Sequence, residues 1–212
     1  MKKSKIFYSI VLSFVLSISF ITVSQASNDQ VKHFLMSNIQ NDYGASTIMN
    51  NTVSVFNKLG YNNVSNNGSG GYETTSISAV NNYIHVSGNN YAFSFFGHGA
   101  YNNGIQQIND GNLAINQGHM TGNWHLVMIN ACRSGQTSAF ADALHITGYS
   151  NRGFIGWYST ITNYALLEWG PYFNSLVGTM SLRMAHKTAA EKCQNSTPAR
   201  FYGDTSWYGW AW

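Results

Sequence analysis

Tyr91-Ala-Phe-Ser-Phe-Phe96 and His125-Leu-Val-Met-Ile-Asn130 are the two apolar runs that decide the fold of this chain. Both are rich in aromatic or β-branched residues and have the length of a strand that is buried on both faces. The first run leads into Gly97-His98-Gly99 and the second into Ala131-Cys132-Arg133-Ser134-Gly135. Because the carboxyl ends of neighbouring parallel strands share one crevice, the pattern predicts that this histidine and this cysteine meet there.

The combination of His98 with Cys132 predicts nucleophilic chemistry. A neighbouring imidazole favours the reactive thiolate and can later protonate a leaving amine. Gly97 and Gly99 have no side chains, so they allow a substrate backbone to approach closely. The amide N–H groups of Gly99 and Cys132 are the candidates for binding a developing oxyanion.

The order hydrophobic strand, His-Gly, spacer, hydrophobic strand and Ala-Cys with Ser-Gly following resembles the caspase-like clan of cysteine peptidases. That clan includes caspases, metacaspases, separases, clostripain and gingipains, and its catalytic His and Cys lie at the ends of adjacent parallel strands. The resemblance places this dyad on His98 and Cys132. It implies a caspase-like three-layer α/β/α sandwich with a mainly parallel sheet, and the activity of a secreted cysteine endopeptidase.

Substrate recognition is where the sequence departs from the resemblance. Metacaspases have an Asp two residues before the Cys, as part of a pocket for Arg or Lys, and Asn130 occupies that position here. Asp42 follows the first predicted strand, where the clan often keeps a pocket charge. The resemblance therefore implies substrate-binding positions at Asp42 and Asn130, with at most a modest preference for Arg or Lys.

The first 26 residues have the three parts of a secretory signal peptide. Three lysines precede an apolar core at residues 6–23, and Ser24-Gln25-Ala26 is a small-x-small cleavage site. A retained membrane anchor is the alternative, but the serines and threonines within the apolar core favour cleavage. The expected product is a single secreted α/β domain over residues 27–212, with no stable membrane anchor.

The charge of the chain lies mostly in this predicted signal. Its three lysines account for the whole formal charge of +3, so eight basic residues face eight acidic ones in the remainder. No block of basic residues remains, which argues against nucleic acid or an acidic membrane surface as a partner. The expected partner is a peptide or protein substrate, and the sequence does not define an oligomeric state.

Strands and helices alternate along the chain, as in α/β proteins with a mainly parallel sheet. Besides the two apolar runs, the predicted strands are 31–36, 61–64, 153–158 and 201–202. The predicted helices are 46–59, 74–84, 137–144, 164–177 and 180–193, and the positive end of the third would favour a thiolate. Residues 66–71 are predicted to form a flexible loop, and residues 100–123 a loop with a short hairpin at the mouth of the crevice.

The two cysteines allow two interpretations. A disulfide between Cys132 and Cys193 is the usual expectation for a secreted chain with two cysteines, and it would remove the nucleophile. However, Cys132 follows a predicted strand and Cys193 ends a predicted helix, and nothing in the topology brings them within bridging distance. The sequence therefore favours two free thiols.

Three further features concern ligands and alternative functions. A zinc site built from His98, His119 and His125 lacks an obvious fourth ligand, so no metal or other cofactor is expected. The tail Trp207–Trp212 either covers the core or forms a sugar- or peptide-binding platform. The alternative functions are a catalytically silent module that binds peptide or glycan through the crevice and this tail, and a transpeptidase in which an amine replaces water.

Overall fold

A computed structural model of the protein describes residues 30–65, 71–85, 92–193 and 198–211. The predicted signal peptide and most of the predicted loop at residues 66–71 lie outside the described residues, as do Tyr91 and Trp212. Within the described ranges, no helix has the length and apolar character needed to cross a membrane.

The regular elements follow the predicted alternation of strands and helices. The strands are β1 (Gln30–Met36), β2 (Asn62–Asn63), β3 (Glu73–Thr75), β4 (Ala92–Phe96), β5 (His98–Asn102), β6 (Ile105–Asn109), β7 (Ala114–Asn116), β8 (Leu126–Asn130), β9 (Gly153–Trp157) and β10 (Ala199–Gly203). The α-helices are α1 (Ala45–Lys58), α2 (Ile77–His85), α3 (Ala139–Ala143), α4 (Asn163–Leu176) and α5 (Leu182–Lys192). Short 3-10 turns lie at Ser37–Ile39 and Gln117–His119.

Seven of these strands form the main sheet, in the order β10-β9-β8-β4-β1. The outer edge of β1 pairs first with β2, at Gln30 and Val31, and then with β3, at residues 34–36. All pairings are parallel except that of β10 with β9. The two apolar runs form the adjacent strands β4 and β8, and every residue of both strands is buried. The prediction of an α/β fold with a mainly parallel sheet is therefore confirmed.

Helices cover both faces of the main sheet. On one face, the ring of His33 in β1 contacts Phe56 of α1, and Trp157 of β9 contacts Trp169 of α4. On the other face, ring contacts join β1 to α2 and β9 to α3. This arrangement is compatible with a three-layer sandwich.

A second, small sheet made of β5, β6 and β7 lies between β4 and β8 in the chain and is antiparallel. Asn103 and Gly104 connect its first two strands with φ angles of 49° and 82°, which suits a tight two-residue hairpin turn. Three side chains of residues 98–116 are buried: Gln106, Ile108 and Ile115. The sequence predicted a loop with one short hairpin in this region, whereas the structure has a three-stranded antiparallel sheet.

Two predicted helices are shorter than expected. α2 begins at Ile77 because residues 73–75 extend as β3 along β1. α3 begins at Ala139 and has five residues, seven positions after Cys132. A helix terminus acts on charges only within its own first turn. The predicted helix-end contribution to the thiolate is therefore not available from α3.

Residues 207–211 of the aromatic tail lie at the end of the main sheet where its parallel strands begin. Trp207 is buried and Trp210 is 44% exposed, and the backbone N–H of Ala211 donates to the carbonyl of Leu59 at 2.9 Å. Leu59 ends α1 just before β2, which pairs with the first residues of β1. The tail is thus at the opposite edge from Cys132, so the two do not form one continuous surface.

Candidate active site

The pairing of β4 with β8 places His98 and Cys132 at the same edge of the main sheet. Phe96 lies opposite Asn130 in the parallel register, and each of the two chemical groups follows two residues later. The backbone N–H of Gly97 donates to the carbonyl of Asn130 at 3.4 Å, which joins the ends of the two strands. The structure therefore brings the His-Gly and Ala-Cys segments together as the sequence predicted.

Gly99 makes the closest backbone approach to the nucleophile segment. A Cβ atom at this position would overlap the carbonyl oxygen of Cys132 and would lie 3.0 Å from the Cβ of Ala131. Backbone atoms cannot move aside as a flexible side chain can, so a residue with a side chain does not fit here without displacing one of the segments. The glycine after His98 is thus required by the contact with Cys132.

Within the described residues, the two amide N–H groups predicted to bind an oxyanion do not take part in the backbone hydrogen bonds of the fold. Asn102 and Ile105 close the hairpin, and hydrogen-bonded and non-hydrogen-bonded pairs alternate from there. Gly99, opposite Ile108, falls at a non-hydrogen-bonded position, so its N–H points away from β6. In the part of the chain that the structure describes, the N–H of Cys132 has no hydrogen-bond acceptor. Among the residues described, neither amide is therefore used in the backbone pairing of the fold.

The thiol and the imidazole are both accessible. Cys132 is partly buried and its Sγ donates to the carbonyl oxygen of Ile161 at 3.6 Å, whereas His98 is exposed. Cys193 is buried, and its Sγ donates to the carbonyl of Ala189 at 3.3 Å. Both cysteines are free, as predicted. Burial raises the pKa of the Cys193 thiol, which disfavours its reactive thiolate form.

The turn after Cys132 is strained and held from several sides. Arg133 has a φ of 58°, a left-handed conformation that costs a residue with a side chain about 1 kcal/mol or more. Its N–H donates to the carbonyl of Ser159 at 2.9 Å, and the hydroxyl of Ser134 donates to the carbonyl of Ile129 at 2.8 Å. These contacts to the loop after β9 and to β8 fix the direction in which Cys132 leaves the sheet.

Gln106 of the small sheet also holds this turn, a contact that the sequence analysis missed. Its side chain is fully buried, and its Nε2 donates to the carbonyls of Arg133, at 3.2 Å, and Ser134. The hydroxyl of Thr137 donates to its Oε1 at 2.8 Å. The sequence of β6, Ile-Gln-Gln-Ile-Asn, does not alternate in polarity, so it gave no signal that Gln106 shares a buried face with Ile108.

The two predicted substrate-binding residues occupy different environments. Asp42 is exposed in the loop after β1, at the edge of the sheet that carries Cys132. Asn130 is 1% exposed. Its Oδ1 accepts from Nε1 of Trp157 at 3.2 Å, and its Nδ2 donates to the hydroxyl of Thr52 at 3.4 Å. The structure therefore places Asp42 on the surface near the crevice and Asn130 in the core beneath it.

A pair of exposed tyrosines lies beside Asp42 and was not predicted. The rings of Tyr43 and Tyr164 are 5.0 Å apart, with 66% and 62% of each residue exposed. Nδ2 of Asn163 donates to the carbonyl of Tyr43 at 3.0 Å, which ties the loop after β1 to the start of α4. Asn163 is two residues from Ile161, whose carbonyl accepts from Cys132. The tyrosine pair thus belongs to the rim of the crevice.

Two cavities of the structure lie outside the candidate site. A cavity of about 440 Å³ lies between α5 and β10, and another of about 320 Å³ lies between α2 and β7. Neither is lined by His98 or Cys132. Within the described ranges, no group of three or more His, Cys, Asp and Glu side chains is placed to hold a metal ion.

No protein-family model matches this sequence, and a comparison with curated proteins finds no significant match. Assignment of a function therefore depends on the geometry of the site. That geometry consists of a histidine and a free cysteine at one sheet edge, two unused amides and a strained turn that presents the thiol.

Proposed function

We propose that this protein is a secreted cysteine endopeptidase of the caspase-like clan, in which a His98–Cys132 dyad cleaves peptide bonds through an acyl-enzyme. The observation that carries the proposal is the position of the two residues after adjacent parallel strands, with the main chain of Gly99 against that of Cys132. The covering of the main sheet by helices on both faces supports the caspase-like three-layer sandwich that this assignment requires.

In the first half of the reaction, Cys132 gives its thiol proton to the imidazole of His98, and its Sγ attacks the carbonyl carbon of the scissile bond. The carbonyl oxygen becomes an oxyanion and accepts hydrogen bonds from the amides of Gly99 and Cys132. The intermediate then collapses, the C–N bond breaks, and His98 donates the proton that the departing amine needs. The products are a thioester on Cys132 and the free amine end of the cleaved chain.

In the second half, water replaces the amine. His98, now neutral, accepts a proton from the water molecule as its oxygen attacks the thioester carbon. The C–S bond breaks, the sulfur regains a proton from the imidazolium, and the new carboxylic acid leaves. Transpeptidation differs only in that a second amine attacks in place of water, so the same residues support both outcomes.

Substrate recognition involves the rim of the crevice. Asp42 is the exposed carboxylate there, and the neighbouring Tyr43 and Tyr164 present ring faces to solvent. A carboxylate beside aromatic faces suits a cationic side chain, which supports a modest preference for Arg or Lys. Asn130 is enclosed by protein groups and contributes to this preference only by supporting the strand end.

A peptide- or glycan-binding module without catalysis is the second candidate. The exposed pair of Tyr43 and Tyr164, whose rings are tilted by 33° to each other, favours it, because aromatic faces bind apolar ring faces and peptide groups. Since the aromatic tail lies at the opposite sheet edge, binding would involve the tyrosine pair and the crevice alone.

The peptidase proposal is tested with the mature chain and a library of fluorogenic peptides, some with Arg or Lys before the scissile bond. Cys132→Ala should abolish cleavage, and His98→Ala should lower kcat/KM about 10²–10⁴-fold because the proton donor is lost. Cys193→Ala is the matched control and should retain activity, since this thiol is buried and is not the proposed nucleophile.

The opposite result is equally well defined. If Cys132→Ala cleaves as fast as the unaltered chain, the observed hydrolysis is not due to the proposed dyad. If neither protein cleaves, yet both bind the same peptides or glycans with equal affinity and Tyr164→Ala does not, the binding module is the function.

A further inference from the structure

We infer that Gln106 is a positioning residue for the Cys132 nucleophile, an inference that rests on the proposed peptidase function. Gln106 belongs to β6 of the small sheet, and Cys132 follows β8 of the main sheet. The buried amide of this one side chain connects the two sheets at the turn that presents the thiol.

The hydrogen bonds of Gln106 use every polar atom of its side chain. Nε2 donates to two successive carbonyls, those of Arg133 and Ser134, and Oε1 accepts from the hydroxyl of Thr137. That hydroxyl in turn accepts from the backbone N–H of Ala139 at 3.3 Å. Two donors and one acceptor on a single planar group are what a primary amide offers, and a carboxylate or an alkyl chain does not.

The bonded carbonyls explain why this contact governs the nucleophile. Arg133 is in the left-handed conformation, which persists only where its surroundings impose it. Without the amide, the buried carbonyl of Ser134 loses its hydrogen-bond partner. The free-energy cost of that loss favours a rearrangement of the turn. Because Cys132 directly precedes this turn, a rearrangement changes where its thiol and its N–H point.

β6 also positions the segment that contains His98 and Gly99. β6 pairs with β5, so Gln106 lies two residues from Ile108, the partner of Gly99. His98 begins β5. One two-stranded ribbon therefore carries the proton donor, one oxyanion amide and the side chain that fixes the Cys132 turn. Gln106 holds the nucleophile at the correct separation from His98.

The test is a double-mutant cycle on thiol reactivity. Gln106→Met keeps the length of the side chain but loses all three of its hydrogen bonds. Thr137→Val loses one of those three and also the hydrogen bond from the N–H of Ala139. Each variant is prepared with His98 intact and as His98→Ala. Gln107→Met, on the other face of the same strand, is the matched control. Rates of iodoacetamide alkylation are measured at pH 6.5 and 8.5 by mass spectrometry of the peptide containing Cys132, after circular dichroism confirms folding.

With His98 present, Gln106→Met is expected to slow alkylation at pH 6.5 about tenfold, which corresponds to the loss of about one buried hydrogen bond. Thr137→Val should slow it less, and Gln107→Met should leave it unchanged. In the His98→Ala background the same changes should alter the rate less than twofold, because the separation from His98 no longer matters. Thr137→Val carries the same test if Gln106→Met does not fold.

Two failures are distinguishable. If His98→Ala alone leaves alkylation unchanged, the dyad is not assembled, and the proposed peptidase falls together with this inference. If His98 matters but the Gln106 and Thr137 variants have no effect, or the same effect in both backgrounds, the peptidase proposal stands. The positioning role is then overturned.

Discussion

Acid should unfold this protein because of two histidines that are buried as neutral rings. Burial lowers the pKa of His33 to about 3 and that of His186 to about 4, from 6.5. In the described part of the chain, one ring nitrogen of each histidine has no hydrogen-bond partner. The surroundings therefore do not stabilise the protonated form of either ring. In the unfolded chain both rings protonate freely.

The sign and size of the effect follow from these values. Above pH 6.5 both rings are neutral in both states and contribute no pH dependence. As the pH falls from 6.5 towards the folded pKa, the unfolded state binds protons that the folded state does not, so the free energy of unfolding decreases. Each histidine contributes about 1.4 kcal/mol per pH unit, so the two remove about 5 kcal/mol by pH 4.5. That is comparable to the whole stability of many domains.

The assay is urea unfolding at pH 7.5, 6.0, 5.0 and 4.5, followed by the fluorescence of the six tryptophans. Between pH 6 and 5 the stability should fall by about 2.4 kcal/mol, since the unfolded histidines are only partly protonated at pH 6. Asp110 and Asp204 also have lowered pKa values, because of hydrogen bonds from Leu113 and Ser206 respectively. Their contributions are lost only near and below pH 3.8.

His186→Phe separates the two contributions. The ring of His186 lies among Trp157, Trp169 and Phe173, so phenylalanine suits its surroundings, although the hydrogen bond between Nε2 and the carbonyl of Gly156 is lost. The variant should show about half the slope of stability against pH. An unchanged slope in this variant, or a flat profile of the unaltered protein between pH 6 and 5, would refute the reasoning.

Three further substitutions or measurements test the site directly. Gly99→Ala should destabilise the fold by about 1–3 kcal/mol and slow alkylation of Cys132, because the added Cβ overlaps a backbone carbonyl; wild-type values in urea unfolding and labelling would contradict the close approach. Asn130→Ala should cost about 1–3 kcal/mol in urea unfolding, because Nε1 of Trp157 is left buried without its partner; an unaltered midpoint would mean that this hydrogen bond is not formed. Intact-mass analysis of denatured protein purified without reductant should show two alkylated cysteines, and a two-proton deficit without alkylation would establish a bridge to Cys193.

The main sheet was predictable because buried strands and buried helix faces appear in the sequence as apolar residues at characteristic spacings. Continuous apolar runs identified β4 and β8, and apolar spacing with a following Gly60 identified α1. The site followed from the same pattern, since His98 and Cys132 come directly after the two runs. Backbone pairing between strands has no comparable sequence pattern. Because β3 has the polar sequence Glu-Thr-Thr, the sequence predicted Thr74 and Thr75 as the start of a helix.

Polar contacts between distant segments were not predictable from pattern. The amide of Gln106 meets carbonyls 27 and 28 residues away, and nothing in the local sequence of β6 indicates those partners. The environment of Asn130 was also hidden. A strand buried on both faces gives no alternation from which to decide which layer its last side chain enters.

The division of the dyad between two sheets has a consequence for dynamics. Cys132 is attached to a strand with every residue buried, whereas His98 belongs to the small sheet, whose buried side chains within residues 98–116 are Gln106, Ile108 and Ile115. Units with few buried contacts open locally at a lower free energy than the whole domain unfolds. Undocking of the small sheet would separate His98 and Gly99 from Cys132 while the main sheet stays intact. For the proposed peptidase, the fraction of molecules able to react would therefore depend on how often the small sheet is docked, and a stable main sheet would not by itself ensure an assembled site.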